Sequence, residues 1–221
     1  MAGFSSQDDL ITEMTTNGKL HRQDWNKNFL PTTAAVAGEW HSLFRGGGNP
    51  GADAILNTGT NLAFQALTDA TANATGIQHG GNVSTDTKHI VNASAFTAAA
   101  TTVPNVLMLI DLLGFYRKTS VTTTSLQATD NTVTIPRYTD GAGVQAFFVN
   151  SNATALGAAT PNLSIEYTNS AGTTGRTTPT VLPVGKTAAN NGVILYSGTG
   201  VGKYGPFMPL MAGDRGIRAI T

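Results

Sequence analysis

Cysteine is missing from all 221 residues of the chain. Disulfides and thiolate metal sites are thereby excluded, and stability must come from packing and from contacts between subunits. Charge is scarce as well. Asp, Glu, Lys and Arg make up 12% of the chain, 13 acidic against 13 basic, where ~25% is usual. A protein that grips phosphates needs a surplus of Lys and Arg on one face, so the balance argues against nucleic acid as the main partner. No apolar run reaches the roughly 18 uninterrupted residues of a membrane span, and no membrane partner is expected. Residues 1–9 have neither the basic n-region nor the apolar h-region of a secretory signal, so assembly in a cytosol is the expectation.

Polarity comes instead from Thr, Ser, Asn and 25 Gly. That mixture suits antiparallel sheets and turns, because Thr is β-branched while Gly and Asn supply the positive-φ corners. The most apolar stretch, residues 106–113, contains one charge, Asp111, and is bracketed by Pro104 and Gly114. Its length and its Thr- and Val-rich neighbours read as a buried strand at the centre of the fold, with a core helix as the rival. Downstream, residues 132–135 and 144–149 outline a hairpin around the turn 140–143. In 163–168, Leu163, Ile165 and Tyr167 share one face while Ser164, Glu166 and Thr168 share the other, the pattern of a half-buried strand. Residues 176–184 return with Pro179 and Pro183, which mark an edge, and 192–196 supply another strand. The expected fold is therefore all-β: an antiparallel β-sandwich, jelly-roll-like, with Leu107, Leu109, Phe147, Ile165, Tyr167 and Ile194 in its core.

Ahead of that domain, residues 6–19 read as a short helix. Ser6 caps it, Asp9 stands where a capping box usually has Glu, and Asn17-Gly18 stops it. Residues 20–31 follow as an extended arm with aromatics at no regular period, and 32–44 as a candidate strand broken by the glycines at 46–48. The organisation expected is an N-terminal helix and arm over 1–45 and the sandwich over 46–221. Phe4, Trp25, Phe29 and Trp40 are the candidate interface residues, since scattered aromatics on a weakly structured arm need another surface to lie on.

Motifs that would carry chemistry fail individually. Residues 200–205 fit G-x-G-x-x-G, but Pro206 and Pro209 forbid the helix that would hold a pyrophosphate. His21, His41, His79 and His89 lack metal-site spacing, so neither a metal nor a cofactor is expected. Asp111 in its apolar run invites a catalytic reading through a raised pKa, against which stands pairing with an Arg such as Arg117. Without a clustered acid, base or nucleophile, no catalytic residues are assigned and no enzyme is expected.

One resemblance extends over most of the chain from about Trp40 onward. The segments 79–84, 106–116, 135–144, 202–210 and 213–218, with His79-Gly80-Gly81-Asn82, Gly114-Phe115-Tyr116, Ile135-Pro136-Arg137-Tyr138 and Gly213-Asp214-Arg215-Gly216 among them, resemble virion structural proteins of tailed bacteriophages and their prophages. The similarity lies in packing and turn residues. It implies a non-enzymatic component of the virion, assembled in the host cytoplasm, of the capsid decoration or cement type. The implied partners are further copies of the chain, as a homotrimer, and the major capsid protein. A tail-fibre or spike module that binds a cell-surface glycan, and the capsid shell protein itself, are the alternatives. Members of this kind run on past the Gly-Asp-Arg-Gly segment, so a C-terminal part beyond residue 221 is expected by the same resemblance.

Overall fold

The structure, a computed structural model, describes residues 5–27, 39–49, 51, 61–67, 76–77, 88–95, 106–120, 122–130, 135–151, 162–179, 183–184, 192–197 and 205–221. The chain forms two compact units. One comprises Met1–Asp24 and Gln78–Leu112, the other Trp25–Ile77 and Leu113–Thr221. The first holds the single α-helix among the described residues, α1 (Gln7–Thr15), with Ser6 as its N-cap. Ser6 Oγ accepts from the Asp9 N–H at 3.1 Å, but the Asp9 carboxylate takes the N–H and hydroxyl of Ser5 rather than the N–H of Ser6. The shorter side chain thus closes its ring one residue further out than a capping-box Glu does.

The second unit is all-β and wholly antiparallel among the described residues. Its strands are β1 (Asn26–Lys27), β2 (Trp40–His41), β3 (Gly48–Asn49), β4 (Phe64–Ala66), β5 (Gly114–Tyr116), β6 (Phe148–Val149), β7 (Glu166–Asn169), β8 (Arg176–Thr177), β9 (Pro183–Val184), β10 (Val193–Ser197) and β11 (Ile217–Ile220). They assemble into several small sheets. β10 pairs with β2, β6 and β9; β7 lies between β11 and β8; β4 pairs with β5, and β1 with β3. Pro183, without an N–H to give, sits in β9, which among the described strands pairs with β10 alone.

Alternation decides where the core sits. Along β7 and the residues before it, Ile165 and Tyr167 turn inward and pack with Met208 and Ile217. Val193 and Leu195 of β10 form a second buried cluster, and Phe148 and Leu163 pack against both. Ile165 and Tyr167 are buried as their alternation predicts, Ile194 is buried within a run in which Val193 and Leu195 are buried as well, and Phe147 is half-buried with its ring edge-on to Phe207, centroids 6.0 Å apart.

The apolar run 106–113 departs from expectation. It forms no strand before Gly114, and Leu107 and Leu109 are 52% and 59% exposed instead of lying in the core. The physical reason is that a run apolar on both faces is buried only between two layers, and no residue of the first unit is buried among those described. Pairing starts at β5, where Gly114 lies so close to β4 that a Cβ there would strike the Phe64 ring and come within 2.7 Å of the Gln65 carbonyl oxygen. Of the candidate strand 32–44, residues 32–38 lie outside the described residues; the remainder gives only β2, followed by a 3-10 turn, Leu43–Arg45. Within 144–149 only β6 is strand, and residues 132–134 of the first hairpin arm, 132–135, are also outside the described set.

Candidate functional site

A dense polar cluster surrounds Asp214, in the turn that leads into β11. β7 contributes Tyr167 and Asn169, two positions apart and therefore on one face, and β8 contributes Arg176, which is the register partner of Tyr167. Tyr167 Oη donates to Asp214 Oδ2 at 2.5 Å and Asn169 Nδ2 donates to Oδ1 at 2.7 Å. Arg176 closes the set from its guanidinium fork, Nε to Oδ2 at 3.0 Å and Nη2 to Oδ1 at 3.2 Å. The Met211 N–H in turn donates to Tyr167 Oη at 3.0 Å, and Asn169 Oδ1 accepts from the Thr173 N–H at 2.9 Å.

Four hydrogen bonds to one nearly buried carboxylate fix its chemistry. The Tyr167 hydroxyl foremost, and then the Arg176 guanidinium, hold the Asp214 carboxyl down at about 2. Burial, with the adjacent carboxylate, pushes the Tyr167 phenol above its ordinary value. Both shifts oppose proton transfer near neutrality, so the cluster is a clamp and not an acid–base pair. It ties the turn at 211–214 to β7 and β8 and thereby seats β11.

The direction of the Asp214 shift sets how stability depends on pH. A carboxyl whose pKa is depressed on folding contributes stability that is full above its unfolded value, ordinarily 3.8, and is lost as pH falls through about 2. Denaturant unfolding of the wild type and of Asp214→Asn should differ most above pH 4 and converge as pH approaches about 2. Parallel curves over that range would show that the clamp carries no charge-dependent stability.

The other residues singled out in the sequence do not gather. Asp111 is exposed, so the desolvation that a catalytic reading requires is not present. Arg117 donates from Nη2 to Gln65 Oε1 at 2.8 Å and lies over the Phe115 ring. His21 and His89 are exposed, and His79 lies outside the described residues, as do residues 200–204 of the G-x-G-x-x-G stretch. His41 is pushed below its ordinary value by burial, with Nε2 3.6 Å from Glu39 Oε2. Among the described residues no group of three or more His, Asp or Glu could hold a metal, and no helix is long and apolar enough to cross a membrane.

Of the four candidate interface residues, Trp25 and Trp40 belong to the second unit and are half-buried, Trp40 within β2 opposite Ile194. Phe4 and Phe29 lie outside the described residues. The exposed apolar surface lies mainly elsewhere. Among the described residues, every exposed large hydrophobic except Ile77, Leu126 and Tyr138 falls in the first unit, which includes Ile90, Val91 and the run 106–110. Hydrophobicity alone assigns that run to the core. The signal against it is its lack of alternation, which denies it a wet face of its own.

Comparison of the chain with family models, with curated proteins and with solved structures finds no match in any of the three.

Proposed function

We propose that the chain is a structural virion protein, a capsid decoration or cement protein that stabilises an icosahedral phage head through contacts between subunits. In this reading it forms homotrimers on the major capsid protein, its small sheets belong to a jelly-roll sandwich, and it carries out no catalysis. One observation supports the proposal beyond the sequence resemblance. Among the described residues, the first unit displays most of the exposed large hydrophobics and has no buried residue. A surface of that kind is material for burial against another chain, because contiguous apolar exposure marks interaction sites. The second unit, by contrast, has its own core, packed between β7, β10 and β11.

The clamp at Asp214 fits the same reading, because this polar cluster fastens β11. The glycan-binding alternative has one observation in its favour: Tyr138 is an exposed aromatic two residues from Asp140, in the turn before Gly141. Cryo-electron microscopy of intact particles separates these readings by the position and copy number of the chain.

A further inference from the structure

We infer that Asn17 is a modification site, where the side-chain amide is lost by attack of the Gly18 backbone nitrogen and the acid that replaces it loosens the end of α1. This goes beyond the virion reading and does not depend on it. The chain has three bonds in which Asn or Asp precedes Gly, at 17–18, 140–141 and 191–192. Gly presents its nitrogen with the least hindrance because it has no Cβ, so these are the places where the reaction is intrinsically favoured. Folding separates them. Gly141 is buried and its N–H donates to the Tyr138 carbonyl at 2.8 Å, while Gly192 is buried and its N–H donates to the Asn150 carbonyl at 2.7 Å. A nitrogen so bonded cannot turn toward a neighbouring side chain unless the structure around it opens. Asn17 and Gly18 are both exposed, and nothing lies within 4 Å of where a Cβ on Gly18 would stand. The Gly18 N–H has no acceptor among the described residues.

The reaction needs only water. The Gly18 nitrogen gives up its proton to solvent and bonds to Asn17 Cγ, the Cγ–Nδ2 bond breaks, and Nδ2 leaves as ammonia, closing a cyclic imide. Water then adds to either imide carbonyl and opens the ring, giving aspartate in the normal linkage or isoaspartate with the backbone routed through the side chain. For Cγ to reach the nitrogen, the helix end must open. The bonds that hold it are those of the Thr16 and Asn17 N–H groups to the Thr12 carbonyl, at 2.9 and 3.1 Å, and of the Lys19 N–H to the Glu13 carbonyl at 3.0 Å. They close a nine-residue helix with no buried residue. Helices shorter than about 12–15 residues are marginal without packing, so this end opens at the low-cost limit of local unfolding. The product closes it less well. Asn17 Nδ2 donates to Glu13 Oε1 at 2.8 Å, and Lys19 Nζ lies 2.6 Å from Glu13 Oε2. An acid at position 17 replaces that donor with a second carboxylate four residues from Glu13 on the same face, and it adds negative charge at the negative end of the helix dipole. The change is one-way, so α1 loosens as the molecule ages.

Full-length protein incubated at mildly alkaline pH, then digested and mapped by mass spectrometry, tests the site. Asn17 and Asn191 are both followed by Gly, so the unfolded chain reacts alike at the two positions and any difference between them belongs to the fold. In the folded protein, aspartate and isoaspartate should accumulate at 17 at least roughly tenfold faster than at 191, because releasing a buried, bonded N–H is the costlier opening. In denaturant the two rates should converge. Amide hydrogen exchange reads the consequence for the helix: at Thr16 and Lys19, whose N–H groups close its end, exchange should quicken roughly two- to tenfold in Asn17→Asp. Equal accumulation at 17 and 191 in the folded protein, or a difference that persists in denaturant, would overturn the site. Unchanged exchange in Asn17→Asp would overturn its effect on α1.

Discussion

Replacing Tyr167 by Ala should destabilise the second unit by ~3–5 kcal/mol, the usual cost of deleting a large buried aromatic. Tyr167 is 0% exposed and packs among Ile165, Met208 and Ile217, where β7 meets β11. Typical domain stabilities are only about 5–15 kcal/mol, so the variant should stand near the limit of folding. Tyr167→Phe separates packing from hydrogen bonding, because the ring stays while the hydroxyl goes. The Met211 N–H then loses its acceptor and Asp214 loses its shortest donor. A buried group left without its partner costs ~1–3 kcal/mol, which is the range expected for Tyr167→Phe. Denaturant midpoints for the three proteins test the order. A Phe variant as stable as the wild type would mean that the clamp contributes nothing beyond the ring.

Gly141→Ala should be the most damaging glycine substitution in the turn that receives β11. At φ +76 the residue occupies the left-handed region, where a side chain costs ~1–2 kcal/mol. An added Cβ would also collide with the Ile217 carbonyl and lie 2.6 Å from the Arg218 backbone. Backbone cannot rotate aside as a side chain can, so an overpacking cost of ~1–3 kcal/mol adds to the first. At Gly143, at φ +75 in the same turn, an added Cβ would meet nothing within 4 Å, and Gly143→Ala should show the backbone cost alone. Gly216 faces Gly141 from the other side, where its Cβ would strike the Gly141 carbonyl and come within 2.8 Å of the Gly143 nitrogen. Gly216→Ala should therefore resemble Gly141→Ala and exceed Gly143→Ala. Equal losses at 141 and 143 would show that β11 does not press closely on this turn.

Much of the sheet structure is legible in the sequence because period-two alternation reports a face that is wet and a face that is not. Ile165 and Tyr167 declare their side of β7 in this way, and Ser6 declares the start of α1 by its chemistry. The run 106–113 misleads because hydrophobicity reports a need for cover without saying whether the cover lies in the same chain. The Asp214 clamp is invisible for a different reason. Its partners Arg176, Asn169 and Tyr167 lie 38, 45 and 47 residues before it and converge only through the register of β7, β8 and β11. One local hint exists: Asn169 continues the apolar face of Tyr167, and a polar residue on a buried face requires a partner. The Gly-Asp-Arg-Gly segment stands out in the sequence for its turn, whereas its aspartate anchors the sheet.

Imaging of intact particles by cryo-electron microscopy tests the central claim most directly, because a decoration protein is defined by where it sits. The decoration role predicts repeated density for this chain on the outer face of an icosahedral head, in threefold clusters, with the shell beneath formed by a different protein. Density confined to the tail tip or fibres would contradict it and favour the glycan-binding module, and density forming the shell itself would show that the chain is the capsid protein.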